Sequence, residues 1–159
     1  MDSQDKKFLG LAIEQARKSV VEGGFPAGAV VVKDAEIISE GISIGFALHD
    51  PTSHAETAAI REACKQLETI NLKGATLYES VECCVMCFSV AYWAGISKII
   101  FAVKKTEEMV SKGYYEGRTN NQTLNKENTK QIELIHAQKF EKESFDVIEG
   151  WEKQGGFSK

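Results

Sequence analysis

The apolar positions along the chain divide it into alternating helical and extended segments. Residues 3–22 place Phe8, Leu9, Leu11, Ala12, Ala16, Val20 and Val21 on one helical stripe, and Gly23-Gly24 supplies the stop. The run Ala27-Gly28-Ala29-Val30-Val31-Val32 has the continuous apolar character of a buried strand. Lys33-Asp34-Ala35 turns the chain, and Ile37-Ile38 begins a second strand that pairs with the first. Gly41 to Pro51 has little periodicity and is predicted as loop. Residues 53–67 read as a helix whose small residues Ala55, Ala58, Ala59, Ala63 and Cys64 permit close packing. The pattern then predicts a strand over 74–80, a helix over 84–95, a strand over 97–104 and a helix over 105–112. A fifth strand from Ile132 to His136 and an amphipathic helix over 141–153 follow. The polar stretch 113–131, where Asn120, Asn121 and Asn125 oppose regular structure, is predicted as loop. Tyr92 and Trp93 fall at core spacing with Val90 and Ile96, so both are expected in the core.

This order implies a single three-layer α/β/α domain over 1–159, a sheet with helices on both faces, in which 105–159 is a variable C-terminal part. At 159 residues, with 43% hydrophobic and 26% charged positions, the chain has the composition of a soluble globular protein. Its 19 Lys and Arg against 23 Asp and Glu give a formal charge of −4. A protein built on phosphate contacts carries a basic face, so this balance favours a small-molecule substrate over nucleic acid. No stretch approaches the roughly 20 apolar residues of a membrane span, and none has the pattern of a secretion signal. Cys83, Cys84 and Cys87 lie within five positions, which suits a metal site in a reducing, cytoplasmic setting better than a disulfide scaffold.

Two stretches carry candidate chemistry, each at the start of a helix: Pro51-Thr52-Ser53-His54-Ala55-Glu56 and Glu82-Cys83-Cys84-Val85-Met86-Cys87. Cys84 and Cys87 are three positions apart, so in a first helical turn both thiols face one side. A helix N-terminus favours the thiolate that a metal requires. With His54 as a third ligand, one tetrahedral position stays open for water, the arrangement of a catalytic Zn2+. Glu56 then stands near the metal without ligating it and can move protons. Alternative readings exist for each piece: Ser53 and Glu56 fit a capping box, and a Cys-x-x-Cys pair fits a redox site. Neither explains why the two stretches occur together, each where a helix begins.

These residues resemble the cytidine and deoxycytidylate deaminase superfamily, whose signature is H-x-E followed by P-C-x-x-C. The similarity covers about residues 5–104 and includes Gly24-Phe25-Pro26-Ala27-Gly28-Ala29-Val30 and Thr76-Leu77-Tyr78. Tyr92-Trp93-Ala94 is similar to bacterial guanine deaminases, and His49-Asp50-Pro51-Thr52 equally resembles tRNA adenosine deaminases. The resemblance implies a cytidine deaminase-like fold with a mixed five-stranded sheet and a homodimer, sometimes with exchanged C-terminal segments. It implies a Zn2+ on His54, Cys84 and Cys87, with Glu56 as proton shuttle and the Cys84 N–H near the developing oxyanion. The implied substrate is a nucleobase, guanine first, with cytosine or an adenosine in tRNA as alternatives. A zinc-stabilised binding domain without catalysis and a thiol redox protein remain as readings of another class.

The sequence also departs from the signature. Cys83 stands where the family has proline, as a spare thiol open to oxidation. Ser43 stands where relatives place an asparagine that bonds the base, and Ala27 replaces a bulkier residue. Tyr114 and Tyr115 are candidates for lining a base pocket, and Glu116 is the candidate acidic partner of the base.

Overall fold

The computed structural model describes residues 1–157. Helix α1 (Ser3–Val21) leads into the hairpin β1 (Gly28–Lys33) and β2 (Glu36–Ile42). Asp34 and Ala35 both adopt positive φ, 53° and 63°, the backbone of a tight two-residue hairpin turn. The short α2 (Gly45–Leu48) precedes α3 (Ala55–Gln66), β3 (Thr76–Val81), α4 (Val85–Trp93) and β4 (Lys98–Val103). The chain closes with α5 (Glu107–Ser111), α6 (Asn121–Glu127), β5 (Glu133–His136) and α7 (Glu141–Lys153).

The five strands form one mixed sheet in the order β2-β1-β3-β4-β5, with β1 antiparallel to both its neighbours and β3, β4 and β5 parallel. Alternation along the strands sorts side chains to two faces. Val30, Val32, Tyr78, Ile100 and Ala102 pack with Phe8, Leu9 and Ile13 of α1 and Val147 of α7. Ala29, Val31, Leu77, Ile99 and Phe101 pack instead with Ala59 and Ile60 of α3 and Phe88 of α4. The result is the expected α/β/α layering. Among the described residues, no helix is long and apolar enough to cross a membrane.

Three expectations need correction. The segment read as loop over 113–131 contains α6, which Asn120 caps by accepting the Thr123 N–H at 2.8 Å. Asn125, read as a helix breaker, is buried within α6 and bonds the backbone of Ile132 through both ends of its amide. The loop read over 41–51 holds α2 and the last two residues of β2. Trp93, expected in the core, is 81% exposed, and Val21 of the α1 stripe is exposed as well. Each lies at the last residue of its helix, where the next turn that would cover it is missing.

Gly41 and Gly28 fix how closely the helices approach the sheet. A Cβ on Gly41 would lie 2.0 Å from the Ala55 carbonyl oxygen and 2.7 Å from the Ala59 nitrogen. Both are backbone atoms of α3, so no side-chain rotation relieves the clash. Gly28 meets the backbone of α1 in the same way. We therefore expect Gly41→Ala to cost at least about 2 kcal/mol, read as a lower urea midpoint. An unchanged midpoint would refute the close-approach argument.

Candidate metal centre and cleft

His54 and Cys84 occupy the N-cap positions of α3 and α4, with extended backbone at φ −80°, ψ 158° and φ −71°, ψ 170°. An N-cap side chain ordinarily bonds its own helix; neither of these does. Both side chains turn to each other instead, and Cys84 Sγ lies 3.6 Å from His54 Nδ1. Cys87, in the first turn of α4, adds a second thiol, and the three donor atoms lie within 4.8 Å of one another. A tetrahedral zinc with bonds of about 2.0–2.3 Å separates its ligand atoms by roughly 3.5–3.8 Å. The donor set therefore fits the ion, and three protein donors leave one corner open.

The electrostatics agree with the geometry. The Cys84 thiol is pulled down to about 5, chiefly by a hydrogen bond from Cys87, with His54 adding a second contact against burial. Cys87 is pushed well up because it holds the shared proton and is buried. His54 is raised by its contact with Cys84. The pair presents one ready thiolate, the form that binds metal.

Glu56 is the second residue of α3 and is 4% exposed. Burial first, and the Cys84 sulfur second, raise its carboxyl above the usual range. A carboxyl with enhanced proton affinity beside an open coordination corner is suited to take and return a proton. The capping-box expectation fails here. His54, not Ser53, is the N-cap, so Glu56 falls one position short of the box and makes no cap bond.

α4 receives its cap from outside. Glu116 Oε1 accepts the Val85 N–H at 2.6 Å, placing an acidic group at the helix start. The segment carrying Glu116 is itself anchored. Lys105 Nζ donates to the Thr119 carbonyl and stands 4.9 Å above the Tyr115 ring. Tyr115 donates to the Glu82 carbonyl, and Tyr114 donates to Glu152 at 2.5 Å while packing edge-on against Phe25 and Trp151.

A cleft of about 880 Å³ opens above the donor set. Ala27, Ser43, His54, Glu56 and Cys84 line one part of it, and Tyr114, Tyr115 and Glu116 line another. Cys87 lies behind this wall with no exposure. Ser43 presents its backbone N–H to Ser19 Oγ at 2.9 Å. Cys83, read as a thiol open to oxidation, is only 1% exposed, and burial pushes its thiol far up; both oppose that role. The sequence reading missed the apolar wall of Phe25, Phe46, Met86 and Phe157. One signal was Phe46, an aromatic residue in a stretch read as loop.

Residues 2–103 match the family described as the cytidine and deoxycytidylate deaminase zinc-binding region. The chain is 42% identical over 95 residues to a tRNA-specific adenosine deaminase of Aquifex aeolicus strain VF5, covering 60% of this chain and 63% of that protein. It is 44% identical over 101 residues to a guanine deaminase of Bacillus subtilis strain 168, covering 63% of this chain and 65% of that protein. The chain thus spans a little under two thirds of the length of these two curated relatives. The solved structure of guanine deaminase from Bacillus subtilis superposes with a TM-score of 0.66 at 31% identity, covering 96% of this chain and 95% of that one.

In reduced, metal-free protein, thiolate absorbance should titrate with a first midpoint near 5, far below an ordinary thiol. Above that pH Cys84 is ionised; below it the thiol is protonated and metal competes with a proton. Because Cys87 is the larger cause, Cys87→Ala should raise the midpoint more than His54→Ala does. The reverse order would show the hydrogen-bond assignment to be wrong.

Proposed function

Given that the chain belongs to the cytidine and deoxycytidylate deaminase family, we propose that it deaminates a free purine base hydrolytically, guanine first, releasing xanthine and ammonia. In this reading His54, Cys84 and Cys87 hold zinc. When bound, zinc supplies the Lewis acidity that makes water nucleophilic near neutral pH. Glu56 takes one proton from the water that adds to the amine-bearing carbon and delivers it to the neighbouring ring nitrogen. It then takes the remaining hydroxyl proton and gives it to the amine, which leaves as ammonia as the C–N bond breaks and the ring carbonyl forms. The Cys84 N–H, at a helix start, faces the negative charge that develops on the substrate. The convergence of the three donors beside the buried Glu56, whose carboxyl is raised by that burial, is the observation that supports this chemistry.

Guanine rests on a separate observation, the Glu116 carboxylate at the cleft. One oxygen accepts the Val85 N–H, and the other has no hydrogen-bond partner among the described residues. An ionised carboxylate only accepts. Guanine offers it an N1–H beside the amine-bearing carbon, whereas adenine presents a lone pair at N1. The Tyr114 and Phe25 rings provide faces on which a base can stack. A second reading, an adenosine within tRNA, is favoured by the comparable identity to the Aquifex aeolicus relative and by a cleft roomier than one base needs. A homodimer, with or without exchange of the C-terminal segment, belongs to the same proposal.

Zinc-loaded protein is expected to release ammonia from guanine and not from an adenosine-bearing tRNA stem-loop; the opposite result would transfer the assignment to the second reading. Glu56→Gln should lower kcat by at least about 100-fold while zinc content stays stoichiometric. Turnover at the parental rate in that variant would remove Glu56 from the reaction.

A further inference from the structure

The connection that delivers Cys84 is held by two buried side chains that the proposed chemistry does not use. Glu79 lies mid-strand in β3, opposite Ala29 of β1 and Phe101 of β4, with no exposure at all. By the period of the strand it shares a face with Leu77 and Val81, the face that packs on α3 and α4. A carboxyl in the centre of a sheet is rare and costly unless it has a specific partner. Here the partner is a backbone group: Glu79 Oε2 accepts the Cys83 N–H at 3.1 Å. Its Oε1 has no hydrogen-bond partner among the described residues.

The other polar group of Cys83 is held as well. Asn121, 2% exposed at the first position of α6, donates through Nδ2 to the Cys83 carbonyl at 2.8 Å and lies 3.5 Å from its sulfur. Both the N–H and the C=O of one residue are therefore secured by buried side chains from β3 and α6. That residue immediately precedes the N-cap Cys84. In the family signature this position is proline, which has a fixed φ and no N–H to satisfy. A cysteine there introduces an amide donor in a buried place, where an unsatisfied donor is destabilising.

We propose that Glu79 and Asn121 are positioning residues that clamp Cys83, replacing the ring constraint of a proline with two hydrogen bonds and so holding Cys84 in its extended N-cap conformation. Glu79 and Cys83 then form an interdependent pair. The carboxyl has a role only while residue 83 carries an N–H, and that N–H is tolerated only while the carboxyl is present. Burial first, and Glu56 second, push the Glu79 carboxyl well above the usual carboxylate range. An amide oxygen of the same reach can take its place as acceptor. The step from Cys83 to the metal rests on the ligand set proposed above; the clamp itself does not.

The test is a double-mutant cycle of Glu79→Leu, Cys83→Pro and both together, with Glu79→Gln as the conservative control. Urea unfolding is measured on reduced, metal-free protein, and zinc release to a chromophoric chelator on loaded protein. Each single change should lower the unfolding midpoint, and Glu79→Leu should speed zinc release about tenfold, the scale of one unsatisfied buried donor. In the double variant release should return to within about threefold of the parent, and Glu79→Gln should stay near the parent throughout. Asn121→Leu should speed release to a similar degree. Recovery of folded double variant where Glu79→Leu alone does not fold supports the clamp equally. Additive effects in the cycle, a double variant that fails to fold, or parental zinc release in Asn121→Leu would overturn it. If the parent takes up no zinc, the ligand reading falls, while the metal-free unfolding cycle still decides the clamp.

Discussion

Three donor atoms converge because two helices begin with residues whose side chains do not serve their own helix. A helix start carries N–H groups without intrahelical partners, and the N-cap side chain is their usual acceptor. At His54 and Cys84 that acceptor has been given to the partner across the site. The structure compensates from outside: Glu116 reaches over 31 residues of sequence to cap Val85. The close seating of α3 on β2 at Gly41 fixes where His54 stands relative to the strand that delivers Cys84. Metal geometry, helix capping and sheet packing are parts of one arrangement.

Much of this was legible in the sequence, for a physical reason. Cys84 and Cys87 stand three residues apart, a spacing that translates directly into a shared face of a helix turn. His54 and Glu56 stand two apart across a helix start, His54 at the N-cap and Glu56 in the first turn. The strands were legible because continuous apolar runs such as Val30-Val31-Val32 have no other stable use. α6 was not, because its asparagines are stabilised by carbonyls that only tertiary structure brings near, those of Cys83 and Ile132. Asn120 was a readable cap, but its signal was outweighed by the polarity around it. Trp93 failed for a different reason. α4 is apolar nearly all round, so periodicity could not say which residues face solvent. Glu79 was read as part of a strand, and nothing local distinguishes a buried glutamate from an exposed one.

Chemistry and recognition are also encoded at different distances. The donor set and Glu56 come from two short stretches inside residues 2–103, the part that matches the deaminase family. The opposite wall of the cleft is built from Tyr114, Tyr115, Glu116 and Phe157, all beyond that part. Relatives of similar identity over about that length carry different names, a tRNA-specific adenosine deaminase and a guanine deaminase.

The bond between Glu116 and Val85 has a consequence for anyone who would redesign this protein. In the proposed role, position 116 meets the base with one oxygen while its other oxygen steadies the turn that carries both thiols. Exchanging it to alter selectivity would also loosen the seat of the ion. In that role selectivity and metal retention would be mechanically geared together, and a variant that changes the first would have to supply a new acceptor at the head of α4 to preserve the second.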